Sequence, residues 1–312
     1  MKKKIMVITL VLTLLGSSVL MAGEKLSLML DWFPNVDHLP IYVAQEKGYF
    51  SDQGIEVSII SPSETSDALK LAASGNMDLA VSYQPQTIIA ADQGLPIKVV
   101  APLVVHPLTT LLFLEGKGIK APSDLSHKKI GYTVPGLMDV LLDAFAAINK
   151  IQEYTPVNVG FTILPALVSN KVDAVMGPFK TYETVGMAQH GYKAEFFELE
   201  KWGIPDYEEL IFVCGEKTLR EKPAAVKGFV KAIEKAFSYT KAHPEDALAT
   251  YLAAVPQADK KIETQAFELT RPYFAVKTGH NLAKWQAFVD FALEYGLIKN
   301  KVDAASLIHT WE

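Results

Sequence analysis

The apolar positions fall into short runs separated by polar, glycine- and proline-rich turns, and the runs alternate in type. Residues 26–30 read as a strand. After a polar and aromatic turn, Asp37 is placed to cap a helix running to Lys47, with Pro40 in its first turn and Gly48 at its end. Residues 55–60 predict a second strand, 67–74 a helix stopped by Gly75, and 77–82 a third strand. A helix over 85–93 and a strand over 97–104 complete a βαβαβαβ series. Such a series predicts a mostly parallel sheet with right-handed crossovers.

The pattern then restarts. Strands are expected at 129–133, 157–161 and 172–176, with helices at 138–148, 163–169 and around 181–190. Ser74-Gly75-Asn76-Met77-Asp78-Leu79 resembles Ser169-Asn170-Lys171-Val172-Asp173-Ala174 further along, with an Asp opening an apolar strand in both. Either an internal repeat or the shared grammar of α/β turns accounts for this echo. From about Lys222 the pattern is helical, with candidates at 223–241, 244–252, 281–295 and 304–310, the last capped by Asp303. Four helices without strands are better placed covering the first sheet than forming a separate domain. The expected organisation is therefore α/β and two-lobed, each lobe a mostly parallel sheet flanked by helices. Residues 23–107 begin the first lobe, 108–213 form the second, and 214–312 return to the first. Segments 108–114 and 210–213 become two crossing strands that act as a hinge, and the cleft between the lobes is the expected ligand site.

Composition fits two globular lobes: 312 residues, 49% hydrophobic and 21% charged. A net charge of −5 offers no basic face to nucleic acid. The single cysteine, Cys214, excludes an intramolecular disulfide or a multi-cysteine metal centre and leaves only a thiol nucleophile open. Residues 1–22 read as a signal peptide. Lys2, Lys3 and Lys4 precede an apolar run over 5–15, and Ala22 and Gly23 mark the cut, although Leu20 is larger than usual there. The run is short of the roughly 20 residues a membrane span needs, an uncleaved anchor being the alternative. Cleavage removes three lysines and no acids, taking the charge from −5 to −8. An acidic, disulfide-free exported protein points to a bacterial periplasm.

The richest chemistry lies in Asp31-Trp32-Phe33-Pro34-Asn35-Val36-Asp37-His38, between the first strand and the first helix, at the sheet edge that faces ligand crevices. Trp32 and Phe33 offer stacking faces, one of them expected in the core and Trp32 expected toward the cleft. Asn35 and His38 offer hydrogen bonds, a local backbone contact being the alternative for His38. Tyr83 occupies the same edge after the third strand. In the second lobe, the stretch Thr133-Val134-Pro135-Gly136 follows a strand and precedes a helix, so its backbone N–H groups are expected to point into the cleft, with Pro135 and Gly136 lining it. After the 172–176 strand, Tyr182 and Glu183 follow, Glu183 able to accept hydrogen bonds from an amidine-like edge or else simply solvated. Tyr207 is expected near the hinge. The only arginines, Arg220 and Arg271, lie outside these edges, which favours a neutral or weakly basic flat ligand over an anion. Phosphate-loop, nucleophile-elbow and His-Glu-x-x-His motifs are missing and the seven histidines are scattered, so no catalytic residue, cofactor or metal is expected.

Leu30-Asp31-Trp32-Phe33-Pro34-Asn35 with His38, followed by Tyr42-Val43-Ala44-Gln45-Glu46-Lys47-Gly48-Tyr49-Phe50, resembles the opening of the thiamine pyrimidine synthase-like (NMT/THI-type) family. Asp124 to Gly131, Val172-Asp173-Ala174-Val175 and Gly203-Ile204-Pro205-Asp206-Tyr207 resemble its pattern in the same order. The resemblance implies a periplasmic-binding-protein fold of the type with two crossing strands (type II). It implies a binding component of an ABC importer, taking a thiamine pyrimidine precursor such as formylaminopyrimidine or hydroxymethylpyrimidine. Riboflavin or another small nutrient is the alternative ligand, and the implied partner is a membrane permease docking a monomer. Trp32, Asn35 and His38 match the family's first-lobe motif and Glu183 its second-lobe acid. Pro178-Phe179-Lys180-Thr181-Tyr182 departs from the Tyr-Trp or Tyr-Arg pair usual before that acid, and Val36-Asp37 and Leu39-Pro40 acidify and crowd the pocket mouth. A second branch of the family consists of pyridoxal-phosphate-consuming pyrimidine synthases. The export signal, the lone cysteine and the lack of a phosphate-binding lysine constellation argue against the enzyme branch and favour a binding protein, with the pyrimidine synthase as the less favoured alternative.

Overall fold

Alternation of buried strands with amphipathic helices builds two five-stranded sheets. The computed structural model describes residues 23–311, so the expected signal peptide at 1–22 lies outside the described residues. Strands β1 (Glu24–Met29), β2 (Ile55–Ile60), β3 (Leu79–Ser82) and β4 (Ile97–Val104) start the first sheet. The chain crosses to a second sheet with β5 (Thr109–Leu114), β6 (Lys129–Tyr132), β7 (Thr155–Asn158), β8 (Ala174–Phe179) and β9 (Ala194–Glu198), then returns through β10 (Leu210–Gly215).

The sheets share one plan. Their orders are β2-β1-β3-β10-β4 and β7-β6-β8-β5-β9, so each holds one visiting strand from the crossing between lobes, in the same position. β1 runs parallel to β2 and β3, and β6 parallel to β7 and β8. Each visitor is antiparallel to both its neighbours. The sheets are mostly parallel, as expected, but mixed: four strands of each run one way and the visitor runs against them, because a strand arriving from the other lobe enters from the opposite end. The sequence echo is structural. The Asp78 carboxylate accepts the backbone N–H of Ser27 at 2.8 Å and its hydroxyl at 3.0 Å. The Asp173 carboxylate accepts the N–H of Lys129 at 3.0 Å. In each lobe an Asp ahead of the third strand ties that strand to the first.

Helices α1 (Leu39–Glu46), α2 (Asp67–Ser74) and α3 (Gln84–Asp92) flank the first sheet, and α4 (Met138–Asn149), α5 (Ile163–Val168) and α6 (Glu183–Gln189) the second. The helical return comprises α7 (Glu216–Glu221), α8 (Pro223–Ala242), α9 (Pro244–Ala254), α10 (Lys260–Thr270), α11 (Leu282–Glu294) and α12 (Ala304–Leu307). The return lies against the first sheet: α8 packs on α1, β2 and β4. Asp303 caps α12 by accepting the N–H of Ala305. Three elements escape the sequence pattern: β9, α7 and α10. In α10 the buried stripe is Glu263, Ala266, Phe267 and Thr270, at helical spacing but half polar, so hydrophobicity alone does not mark it. Asp37 is not a helix cap. Asn35 caps the turn instead, its side-chain oxygen accepting the N–H of Asp37 at 2.8 Å, while the Asp37 carboxylate turns inward to the Thr270 hydroxyl at 2.9 Å.

Between the lobes, the Glu209 carboxylate binds both crossings together. It accepts the N–H groups of Leu108 and Thr109 at 2.6 and 2.7 Å and the Thr109 hydroxyl at 2.8 Å. Among the described residues no helix is long and apolar enough to cross a membrane.

The unequal solvation of the two Asp ties sets an expected order of stabilities. Asp78→Ala removes a part-buried, charge-assisted set of bonds that also includes Lys222 at 2.8 Å and is expected to cost about 2–3 kcal/mol. Asp173→Ala, at an exposed bond, is expected to cost under about 1 kcal/mol. Urea unfolding of both variants checks this, and equal costs would contradict it.

Candidate functional site

The loop after β1 must turn sharply, and it does so by spending its polar side chains on one another. Asp31 accepts the Nε2–H of His38 at 2.8 Å and the hydroxyl of Tyr83 at 2.7 Å, all three groups buried. With the proton on Nε2, His38 Nδ1 is free to accept the N–H of Asn35 at 3.4 Å. The N–H of Val36 donates to Glu263 Oε2 at 2.9 Å. From the other lobe, Tyr182 donates its hydroxyl to Glu263 Oε1 at 2.8 Å. Thr65 donates to the carbonyl of Thr133 at 2.7 Å, a second link between lobes. Glu183, at the start of α6, accepts the N–H of Phe179 at 2.7 Å.

A cavity lies between the lobes among these residues. The first lobe contributes Asp31, Trp32, Asn35, Asp37, His38, Tyr83 and, from β10, Leu210. The second contributes Thr133, Ile163, Gly177, Phe179 and Glu183. Close approach of the second-lobe backbone depends on Gly177. Its φ is +125°, and a Cβ there would sit 2.0 Å from the Thr133 hydroxyl oxygen. Three carboxylates face this space and no lysine or arginine does. Burial pushes the Asp37 and Glu183 carboxyls up to about 7, with the other carboxylates adding to the effect. Burial does the same to Glu263 just behind the wall, and to Glu209 at the hinge. Asp37 Oδ2 is buried without a hydrogen-bond partner. A buried, unpaired acceptor costs free energy unless a donor arrives, so the cavity is chemically prepared for a donor-bearing or weakly basic guest.

Trp32, Asn35, His38, Tyr83 and Glu183 are brought together as the sequence predicts. Asn35, His38 and Tyr83, however, spend polar groups holding the turn, which leaves Trp32 and the carboxylates as the free surface. Other expected residues are elsewhere. Neither Trp32 nor Phe33 enters the core: Trp32 is half-buried at the cavity and Phe33 is 49% exposed at the rim, 4.5 Å ring to ring from Phe161 of the other lobe. Pro135 and Gly136 do not line the cavity. The Gly136 N–H is taken by the Asp139 carboxylate at 2.7 Å, and of that stretch only Thr133 reaches the cavity wall. Tyr182 lines a neighbouring chamber with its hydroxyl engaged by Glu263. Tyr207 is buried core, edge-on to Phe288 at 5.4 Å with its hydroxyl on Glu209. Asp31 and Asp37 were missing from the expected contacts, although two acids packed between aromatics and a histidine were the available signal. Cys214 is buried in β10, and burial pushes its thiol up to about 12, which removes it as a nucleophile. Among the described residues no group of His, Cys, Asp and Glu is arranged to hold a metal ion.

Comparison with known proteins places this geometry in context. The family model described as NMT1/THI5 like matches residues 35–247. A Haemophilus influenzae protein named for thiamine biosynthesis is 37% identical over 283 residues, covering 89% of each chain. The formylaminopyrimidine-binding protein of Halalkalibacterium halodurans is 32% identical over 76% of this chain and 73% of its own. A 4-amino-5-hydroxymethyl-2-methylpyrimidine phosphate synthase of Saccharomyces cerevisiae is 30% identical over 82% of this chain and 78% of its own. In fold, the alkanesulfonate-binding protein of Xanthomonas axonopodis pv. citri superposes with a TM-score of 0.73 at 14% identity, over 92% of this chain and 98% of that one. A Candida albicans protein described as having the generic periplasmic binding protein fold superposes at 0.71 and 16% identity, over 92% and 96%. The fold here is that of the periplasmic binding proteins.

The raised carboxyls predict how stability depends on pH. Between about pH 4 and 7 the folded chain holds protons on Asp37, Glu183, Glu209 and Glu263 that the unfolded chain releases. Stability of the empty protein is therefore expected to fall as pH rises through that window, by about 1.4 kcal/mol per pH unit for each group at most. Thermal unfolding should show a midpoint several degrees lower at pH 8 than at pH 5.5, with a shallower slope in Asp37→Asn. A midpoint that climbs with pH would contradict it.

Proposed function

The chain belongs to the NMT1/THI5-like family, and we propose that within it this protein is an exported solute-binding component of an ABC importer. Its ligand is a small flat nitrogen heterocycle with hydrogen-bond donors, a thiamine pyrimidine precursor of the formylaminopyrimidine or hydroxymethylpyrimidine type. The observation that carries this reading is the cavity: Asp31, Asp37 and Glu183 around one space with no basic side chain, Asp37 Oδ2 unpartnered, and Trp32 along the wall. An anion would meet three carboxylates there. An aminopyrimidine instead offers an exocyclic N–H pair to the acceptors and a ring face to Trp32, a stacking contact worth about 1–3 kcal/mol.

Both lobes supply contacts, so the ligand binds the closed arrangement better and shifts the hinge equilibrium toward it. The Thr65–Thr133 and Tyr182–Glu263 bonds belong to that arrangement. In this reading the loaded, closed lobes of a periplasmic monomer dock on a membrane permease, and no covalent step is needed. The name of the Halalkalibacterium halodurans relative supports the ligand class. The synthase reading is favoured by the yeast relative's name. Against it stand a cavity wall without a lysine to hold an aldehyde cofactor and a sole cysteine locked in β10.

Calorimetric titration with hydroxymethylpyrimidine and formylaminopyrimidine is the test, supported by native mass spectrometry of whatever copurifies. Glu183→Gln is expected to weaken binding by roughly tenfold or more, by loss of a charge-assisted contact. Trp32→Ala should lose about 1–3 kcal/mol of affinity. Preferential binding of sulfonates, or unaltered affinity in both variants, would overturn the proposal.

A further inference from the structure

A second chamber adjoins the cavity, and the two share Trp32, Ile163 and Glu183 as lining. Their chemistry differs sharply. The first space has an unpartnered acceptor, Asp37 Oδ2. The second is walled mainly by Phe161, Leu164, Pro165, Met187 and Ile262, and two of its polar groups are already engaged. The Tyr182 hydroxyl is on Glu263, and His190 Nδ1 lies 2.8 Å from the Gly186 carbonyl. Aromatic faces and a thioether make such a chamber suited to a flat, polarizable group that brings no hydrogen bonds of its own. Ile262 comes from the helical return and Met187 from α6, so this chamber, like the cavity, closes only when the lobes meet.

We propose that the second chamber is a specificity subsite, and that the ligand is a two-part molecule: a donor-bearing heterocyclic head in the acidic cavity and an apolar ring on a short linker in the chamber. This rests on the function proposed above for the cavity, and it widens the ligand class from single-ring precursors to include ring-extended ones, which bind more tightly. Glu183, which lines both spaces, stands beside the linker. Gly186 sets the width of the chamber. It lies within α6, and a Cβ added there meets no atom within 4 Å, so a larger side chain can occupy the chamber without displacing its walls.

The test compares two probes by calorimetry on the intact protein: 4-amino-5-hydroxymethyl-2-methylpyrimidine, and the same head carrying a benzyl group at C5. The benzyl probe is expected to bind about tenfold or more tighter to the native chain, and Gly186→Leu is expected to abolish that ratio. Equal or weaker binding of the benzyl probe to the native protein overturns the subsite whether or not the variant folds. Survival of the tenfold ratio in Gly186→Leu also overturns it. So does a change in association and dissociation rates at constant affinity, which marks the chamber as an entry path. If neither probe binds, the function proposed for the cavity fails, and the subsite with it.

Discussion

Several carboxylates turned into one water-poor space without a cation is the constraint on which the rest of this structure depends. Asp31 is satisfied locally by hydrogen bonds from His38 and Tyr83. Asp37 is satisfied only in part, by the Thr270 hydroxyl, Glu183 is held by backbone N–H donors, and burial holds their protons on toward neutral pH. An arrangement like this works against folding and is intelligible when a ligand completes it. In the proposed function it also sets the ligand's polarity: donors or a partial positive charge, opposite to what a sulfonate or phosphate presents. The shared fold with an alkanesulfonate-binding protein therefore says nothing about shared cargo, since the fold positions the cleft and the loop side chains choose what enters it.

Closure follows from the same economy. The acidic residues sit on separate lobes, Asp31, Asp37 and Glu263 on one and Glu183 on the other, so bringing the lobes together concentrates negative charge. Neutral contacts offset that repulsion: the Tyr182 hydroxyl on Glu263, the Thr65 hydroxyl on a carbonyl, and the Phe33–Phe161 ring pair at the rim. At the pivot, Glu209 gathers the donors of both crossing segments, so the hinge has a defined axis in place of two independent linkers. The matching strand orders of the two sheets make this symmetric, each lobe lending one strand to the other.

Much of this was legible in the amino-acid order, because period and punctuation carry it. The strand at 55–60 and the helix at 67–74 match their predicted limits, since Gly54 and Gly75 end the turns in left-handed backbone. The Asp78–Asp173 echo signalled a real repeat. What escaped was what depends on contacts distant in sequence. The inward stripe of α10 is half polar, because Glu263 and Thr270 face the acidic loop rather than the apolar core, and so it lacked a hydrophobic signature. Asp37 looked like a cap because its position suited one; only the presence of Thr270, 233 residues away, explains why it turns inward. Gly136 and Tyr207 carried residue types suited to a cleft, yet Asp139 and Glu209 claim their polar groups first.

A structure of the protein with its bound ligand tests the central claim most directly. The account predicts a flat ring packed against Trp32 within the interlobe cavity, with a nitrogen donor in hydrogen-bond reach of Asp37 Oδ2 and another on the Glu183 carboxylate. A ligand seated outside that cavity, or anchored there by salt links to basic side chains, would contradict it.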